Sequence, residues 1–310
     1  MGLITIFGGS GFLGRYIVRQ LASKGYFVRV IARNPNEALF LKVYGKVGQI
    51  QLVSGDIKEE KKLRDYLRGS DCVINCVATF FETRSQSFNN LHINAARNLA
   101  KAAKKERVNQ FIHVSSLGAS TKSSSRLLKS KGQGEEAVLE CFTNANIIRP
   151  SLIFGNEDTF FNRFANLSSI SPFIPIIGSE TKFQPVYVDD VAKAISLLVE
   201  LSNQGRYIEL GGDEIYTFKE LIDILLSEIN RKRLIVKIPF LAARVIAATN
   251  DFFRLISGDL APAFLSLAQV KSLENDNVVG KKSEKFSDLE IVPKKLEIIL
   301  PRIVGRFNRI

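Results

Sequence analysis

The amino-acid sequence predicts an α/β fold, a doubly wound parallel Rossmann sheet with a smaller, mostly helical C-terminal region. Three observations carry that prediction. Residues 1–150 alternate short, β-rich apolar runs with amphipathic stretches; a glycine-rich turn follows the first run directly; and after Pro150 the alternation gives way to a region rich in Ser, Asn, Phe and proline. Of the 310 residues, 45% are hydrophobic and 24% charged, which excludes wholesale disorder and low-complexity chains.

Leu3 to Phe7 is a continuous apolar run, as expected of a strand buried on both faces, and the helix Gly11 to Lys24 opens straight from the glycine turn. Further strands are predicted on the same grounds at Phe27 to Ala32, Ile50 to Ser54, Cys72 to Val77, Gln110 to Val114 and Ile147 to Arg149. Amphipathic spacing places helices between them at Glu60 to Leu67, Ser87 to Glu106 and Ser125 to Cys141. Beyond residue 150, Pro172, Pro175 and Pro185 interrupt the rhythm. Val188 to Leu201 then reads as another sheet-covering helix, and Tyr207 to Leu210, stopped by Gly211 and Gly212, as another strand. The chain is therefore expected to form a Rossmann domain over 1–150, the one that the glycine turn read below makes NAD(P)-binding, and a C-terminal region over 151–310, interleaved with the sheet near 185–212. Residues 217–310 are mostly helical by period, with turns at Gly258, Gly280 and Pro293.

The turn after the first strand reads Gly8-Gly9-Ser10-Gly11-Phe12-Leu13-Gly14. Small residues at this spacing let the turn tighten, bring backbone N–H groups to a pyrophosphate at a helix N-terminus, and let that helix pack on the sheet. Specificity for the adenosine ribose is set at the end of the second strand, where an acidic residue suits a 2′-hydroxyl and an arginine a 2′-phosphate. Arg33 stands there, and Arg15 follows the last glycine, so NADPH (NADP) is expected in preference to NAD. Asp56 and Ile57, after the third strand, are candidates for the adenine edge, with a plain turn aspartate as the alternative. Cys76, Val77 and Ala78 close the fourth strand with small residues that let backbone lie against a cofactor, and Pro150 closes the sixth. Ser115 and Ser116 put two hydroxyls at the carboxyl edge beside the nicotinamide position, and Lys131 sits in the first turns of the next helix, where its ammonium could bond the nicotinamide ribose. His92 and His113, on apolar faces, read as structural histidines.

This arrangement resembles the extended and atypical branch of the short-chain dehydrogenase/reductase superfamily, which works with a serine, a proton-donating tyrosine and a lysine four residues after it. Ser115 or Ser116 matches the serine and Lys131 the lysine, but the tyrosine position is Leu127, which cannot give or take a proton. Ser115, Ser116 and Lys131 are then remnants of a catalytic set. Further segments, Ser123 to Arg126, Ile148 to Asp158, Phe160 to Phe164, Gln184 to Val191 and Asp276 to Val279, are similar to the NDUFA9-like family, the 39 kDa accessory subunit of respiratory complex I and its bacterial homologues. The resemblance runs from Leu3 to about Pro301 and implies tightly held NADPH, a non-catalytic role as an accessory or assembly subunit, and complex I subunits as partners near the quinone site. The alternative is an active NAD(P)H-dependent oxidoreductase or epimerase on a quinone-related, lipid or sugar substrate.

Lys and Arg number 43 against 31 Asp and Glu, a net charge of +12, and residues 231–310 hold 15 basic and 8 acidic side chains. Without zinc-finger spacing or an RNA-recognition signature the excess does not point to nucleic acid; an anionic membrane surface or acidic partner suits it better. No apolar run is long enough to span a bilayer. In the stretch 239–257, Leu241, Val245, Ala248, Phe252 and Leu255 recur at helical spacing, with Arg244, Asp251 and Arg254 on another face and Phe253 beside Phe252. That is the pattern of a core helix or of a surface anchor, and the run Ile298 to Arg306 is expected to expose alternating apolar and basic residues. The expected location is peripheral, on the cytoplasmic side of a bacterial inner membrane or the matrix side of a mitochondrial one, and the strand at Leu3 leaves no expectation of a targeting segment. Cys72, Cys76 and Cys141 form neither a disulfide framework nor a metal-ligand spacing, and no metal is expected.

Overall fold

The structure, a computed structural model, describes residues 2–83, 86–201, 205–257 and 266–308. Strand β1 (Leu3–Phe7) leads through the glycine turn into helix α1 (Phe12–Ser23), followed by β2 (Phe27–Ala32) and a 3-10 segment over Pro35–Tyr44. Next come β3 (Ile50–Ser54), α2 (Leu63–Leu67), β4 (Cys72–Asn75), a π-helical turn over Asn89–Ala95 running into α3 (Ala96–Lys105), β5 (Gln110–Val114), α4 (Arg126–Cys141) and β6 (Asn146–Pro150). The rest is β7 (Ile153–Phe154), α5 (Phe160–Ile170), β8 (Phe173–Ile177), β9 (Lys182–Phe183), β10 (Val186–Tyr187), α6 (Val188–Glu200), β11 (Tyr207–Leu210), β12 (Tyr216–Thr217), α7 (Phe218–Glu228), β13 (Leu234–Ile238), α8 (Phe240–Ser257), α9 (Leu267–Ser272) and α10 (Leu296–Val304).

The main sheet is parallel throughout, in the order β11-β6-β5-β4-β1-β2-β3. The strand order reverses between β1 and β4, and a crevice opens beyond the carboxyl ends of strands at such a switch point. Side chains alternate across the sheet. Ile4 and Ile6 pack with α1 and α6 on one face, while Phe7, Val73 and Phe111 pack with α2 and α3 on the other. A separate core joins Phe154, Phe161, Ile174, Leu221, Leu225 and Leu300, which draws α5, α7 and α10 together.

Five expectations change. β4 stops at Asn75 rather than Val77, since the Val77 N–H is taken by the Asn75 side chain (3.1 Å) in place of a neighbouring strand. The Asn34-Pro35 pair caps an unexpected 3-10 segment, Asn34 Oδ1 accepting from the Asn36 N–H. In the stretch read as mostly helical, Leu234–Ile238 is a strand paired in parallel with β8, the β-branched run favouring a sheet partner over helical period. The terminal run does not expose its apolar side chains: Ile299, Leu300, Ile303 and Val304 are buried against α5 and α7, leaving Ile298 outside. In α8 it is Ala243 and Ala247 that face inward, against Val270, whereas Leu241, Val245 and Ile246 lie exposed. The side chains of Phe252, Phe253, Arg254 and Leu255, and the turn expected at Gly258, lie outside the described residues.

Candidate functional site: a dinucleotide crevice

At the switch point Gly8 adopts φ +80°, the left-handed region that favours glycine, and a Cβ there would meet the Cys76 carbonyl and the Val77 nitrogen at 3.0–3.2 Å. The loop thus lies against the end of β4, where Cys76, Val77 and Ala78 were expected to line the cofactor. At Gly14 a Cβ would run into the Gly8 carbonyl oxygen and the Gly9 Cα, so this glycine lets α1 close on its own loop. Gly9 does the same against Val30, and Gly11, capping α1, supplies no side chain to the first turn, which also lacks an acidic residue. Ser10, Phe12 and Leu13 complete the turn: Phe12 stacks edge-on with Tyr16 at 6.2 Å, and Leu13 is buried in the core beneath. The uncapped N–H groups of this helix suit an anion.

Where the sequence expects the adenosine, Arg33 is exposed at the end of β2 with no ion pair among the described residues. Arg15 lies over the Phe40 ring at 4.7 Å, which brings α1 to the same edge, and pairs with Glu157 at 3.4 Å. Tyr16 Oη also donates to Glu157 (2.8 Å). Phe40 and Glu157 were not anticipated; the Asn-Pro cap was the signal for the segment that carries Phe40, whereas Glu157 comes from 141 residues beyond Tyr16 with no local signal. Asp56 accepts the Lys58 N–H (2.9 Å), an Asx turn, and Ile57 turns its side chain into the core with Leu63 and Tyr66. Only its backbone can face a ligand.

Where the sequence expects the nicotinamide, Lys131 is almost wholly buried, and its Nζ donates to the Ser115 carbonyl at 3.2 Å. Burial lowers its pKa to about 8, with Glu135 acting in the opposite direction. His113 and His92 are each pushed down to about 3, by burial first and the Lys131 charge second, so both are neutral. His113 Nδ1 meets Asn75 Nδ2 at 3.2 Å. Ser115 Oγ and Ser116 Oγ are buried with no hydrogen-bond partner among the described residues, and a buried hydroxyl left unpaired costs about 1–3 kcal/mol. Pro150, at the end of β6, accepts the Leu117 N–H (3.0 Å) and so fixes the loop behind these serines. A glycine cradle with no room for Cβ atoms, an uncapped helix start, orphaned hydroxyls and a buried ammonium fit a nicotinamide dinucleotide. When bound, such a group would supply hydride, and the glycine turn, Ser115, Ser116 and Lys131 would hold and orient it.

Proton supply is another matter. Leu127 is buried between Phe88 and Ala268, and Ser125 Oγ donates to the Ala268 carbonyl at 2.7 Å, so α9 is fastened over the start of α4. Tyr187 packs on Phe154 (5.7 Å) below the Lys294 ammonium and joins none of the described contacts of Lys131. Among the described residues no group of three or more His, Cys, Asp or Glu could hold a metal ion.

Residues 8–163 match the NAD(P)H-binding family. The chain is 38% identical over 304 residues to the mitochondrial NADH dehydrogenase (ubiquinone) 1 alpha subcomplex subunit 9 of Arabidopsis thaliana, covering 94% of this chain and 75% of that protein. It is 29% identical over 280 residues to the ceramide reductase of Caulobacter vibrioides, covering 88% and 81%. Among solved structures, an NADPH-dependent quinone oxidoreductase of Escherichia coli complexed with NADPH superposes with a TM-score of 0.74 at 18% identity over 98% of this chain and 99% of that one, a likeness of fold.

Proposed function

The chain belongs to the family of NAD(P)H-binding proteins that includes the 1 alpha subcomplex subunit 9 of NADH dehydrogenase (ubiquinone), and from that premise we propose that it is an accessory or assembly subunit of respiratory complex I that holds NADPH without consuming it. One observation carries the non-catalytic part: Leu127 is buried under Ala268 where the proton donor of a reductase would stand. Bound nucleotide then acts by mass action, stabilising the folded chain by about 2.7 kcal/mol at a hundred times its dissociation constant. Arg33 and Arg15 support NADPH over NADH, since no acidic side chain occupies the end of β2. The partners in this reading are complex I subunits at a peripheral membrane surface, on the cytoplasmic or matrix side. Among the described residues no helix is long and apolar enough to cross a membrane.

The intact Ser115 and Lys131 pair, with the likeness to a ceramide reductase, favours the second reading, an active NAD(P)H-dependent reductase or epimerase on a lipid, sugar or quinone-related substrate. Affinity purification from native membranes separates the two. The first expects complex I subunits and stoichiometric NADPH in the eluate with no NADPH oxidation; a partner-free protein that steadily oxidises NADPH overturns it.

A further inference from the structure

We propose that Phe80 is the aromatic wall of the nicotinamide half-site, and that Thr79, His92 and Ser130 are positioning residues that hold it there. The inference rests on the reading of the crevice as a nicotinamide dinucleotide site and names what that reading leaves open: which side chain covers the reactive ring.

Phe80 lies five residues after the end of β4, and its ring is 55% exposed. A lone exposed aromatic is ordinary on a protein surface and by itself says nothing. Two further observations distinguish this one. The buried Lys131 ammonium faces its ring at 5.8 Å, so Phe80 lies beside the charged group expected to meet the nicotinamide ribose. Lys131 has three N–H donors and, among the described residues, one hydrogen bond, to the Ser115 carbonyl. The ring face and one carbonyl leave donors over for sugar hydroxyls.

The second observation is how the loop is held. Thr79 Oγ1 donates to the Phe81 carbonyl (2.7 Å) and accepts from the Phe81 N–H (3.3 Å), closing a tight turn around Phe80. The Thr79 N–H donates to His92 Nε2 at 3.1 Å, which makes Nδ1 the protonated ring nitrogen. Nδ1 then donates to Ser130 Oγ (2.9 Å), which donates to the Leu127 carbonyl (2.8 Å) in α4. The Phe88 ring stacks on the imidazole at 5.4 Å, and Glu82 both accepts the Phe88 N–H (3.1 Å) and pairs with Arg126 (2.9 Å). His92 sits in the π-helical turn, and its carbonyl is approached so closely by Gly134 that no Cβ would fit there. The loop is thus pinned to the helix that carries Lys131 through a buried, neutral histidine. Such a network fixes the backbone that carries the exposed ring before anything binds, which lowers the entropic cost of a stacking surface.

The test compares NADPH with 2′,5′-ADP, which carries the adenosine and its 2′-phosphate but no nicotinamide. For Phe80→Ala the expected result is about a ten-fold weaker NADPH dissociation constant, unchanged 2′,5′-ADP binding, and loss of the emission enhancement of the bound dihydronicotinamide. Phe80→Tyr should keep all three at wild-type values. His92→Ala should shift NADPH and its emission in the same direction as Phe80→Ala while sparing 2′,5′-ADP. An unchanged ratio of the two affinities with unchanged emission in Phe80→Ala overturns the inference and leaves the cofactor reading standing. Wild-type protein that binds 2′,5′-ADP and NADPH equally, with no emission change, overturns it likewise, and protein that binds neither nucleotide overturns the cofactor reading and this inference with it.

Discussion

Arg33 and Arg15, the two guanidiniums proposed for the 2′-phosphate, stand in different states. Arg15 is spoken for, by the Glu157 carboxylate at 3.4 Å and the Phe40 face at 4.7 Å, whereas Arg33 is exposed and has no ion pair among the described residues. A 2′-phosphate gains more from the guanidinium that has no carboxylate to give up. Charge-assisted hydrogen bonds are worth about 1.5–3 kcal/mol, roughly ten- to a hundred-fold in affinity. Arg33→Ala is therefore expected to lose that much NADPH affinity with NADH unaffected, and Arg15→Ala to lose less. Calorimetric titration of both nucleotides checks it, and an unchanged NADPH to NADH ratio in Arg33→Ala sinks the assignment. Lys131 shows the opposite economy: its burial lowers its pKa to about 8, a cost borne in the nucleotide-free protein that a ligand offering hydroxyl acceptors relieves.

At the scale of elements, the meeting of α4 with α9 decides what chemistry is open to the site. Ser125 Oγ holds the Ala268 carbonyl, Ser266 caps α9 through a reciprocal bond with Gln269, and the Leu267 N–H is taken by Asp251 of α8 (2.9 Å). The α8–α9 pair therefore sits as one unit on the start of α4. Restoring a tyrosine by Leu127→Tyr places a bulkier phenol under Ala268, in an apolar cluster with Phe88. The expected outcome is a loss of roughly 1–3 kcal/mol in stability and no gain of turnover, although general acid help is typically worth ~10²- to 10⁴-fold. Thermal unfolding and an NADPH oxidation assay with small carbonyls test it together; a variant that turns over at several per second would show the position to be merely vacant of tyrosine rather than closed.

For the whole molecule, what matters is which apolar surface is left outside. The β8–β13 pair turns Phe173, Leu234 and Val236 outward, and α8 adds Leu241, Val245 and Ile246, each at least 40% exposed. Exposed Lys232 precedes β13, and exposed Lys237 lies within it, paired with Glu180 at 3.0 Å. A surface held to lipid by basic residues alone gains ~1 kcal/mol per charge, screened over ~8–10 Å at physiological salt. An apolar surface seated on a protein partner is insensitive to that screening. The complex I reading therefore expects the protein to stay on native membranes through a high-salt wash and to leave them with detergent or chaotrope. Release by salt alone would point to lipid attachment, and full recovery in the soluble fraction at low salt would remove both forms of attachment.

The sequence by itself determined the sheet and its cofactor crevice, because both are written in local patterns: continuous β-rich runs, a glycine turn at fixed spacing, an arginine where a strand ends and a leucine where a tyrosine belongs. That Ser115 and Lys131 come together was legible for the same reason, each standing close to the end of an element. Only the tertiary structure decided the rest. That Ala268 covers Leu127, that Glu157 engages Arg15, and that His92 pins the loop of Phe80 are contacts between residues far apart in the chain, with no period or spacing to announce them. The direction of an amphipathic face was undecided for the same physical reason. The period of α8 and of α10 marks two sides of a helix in either case, and which side is buried depends on what packs beside it: Val270 met the alanines of α8, and α5 and α7 met the apolar side of α10.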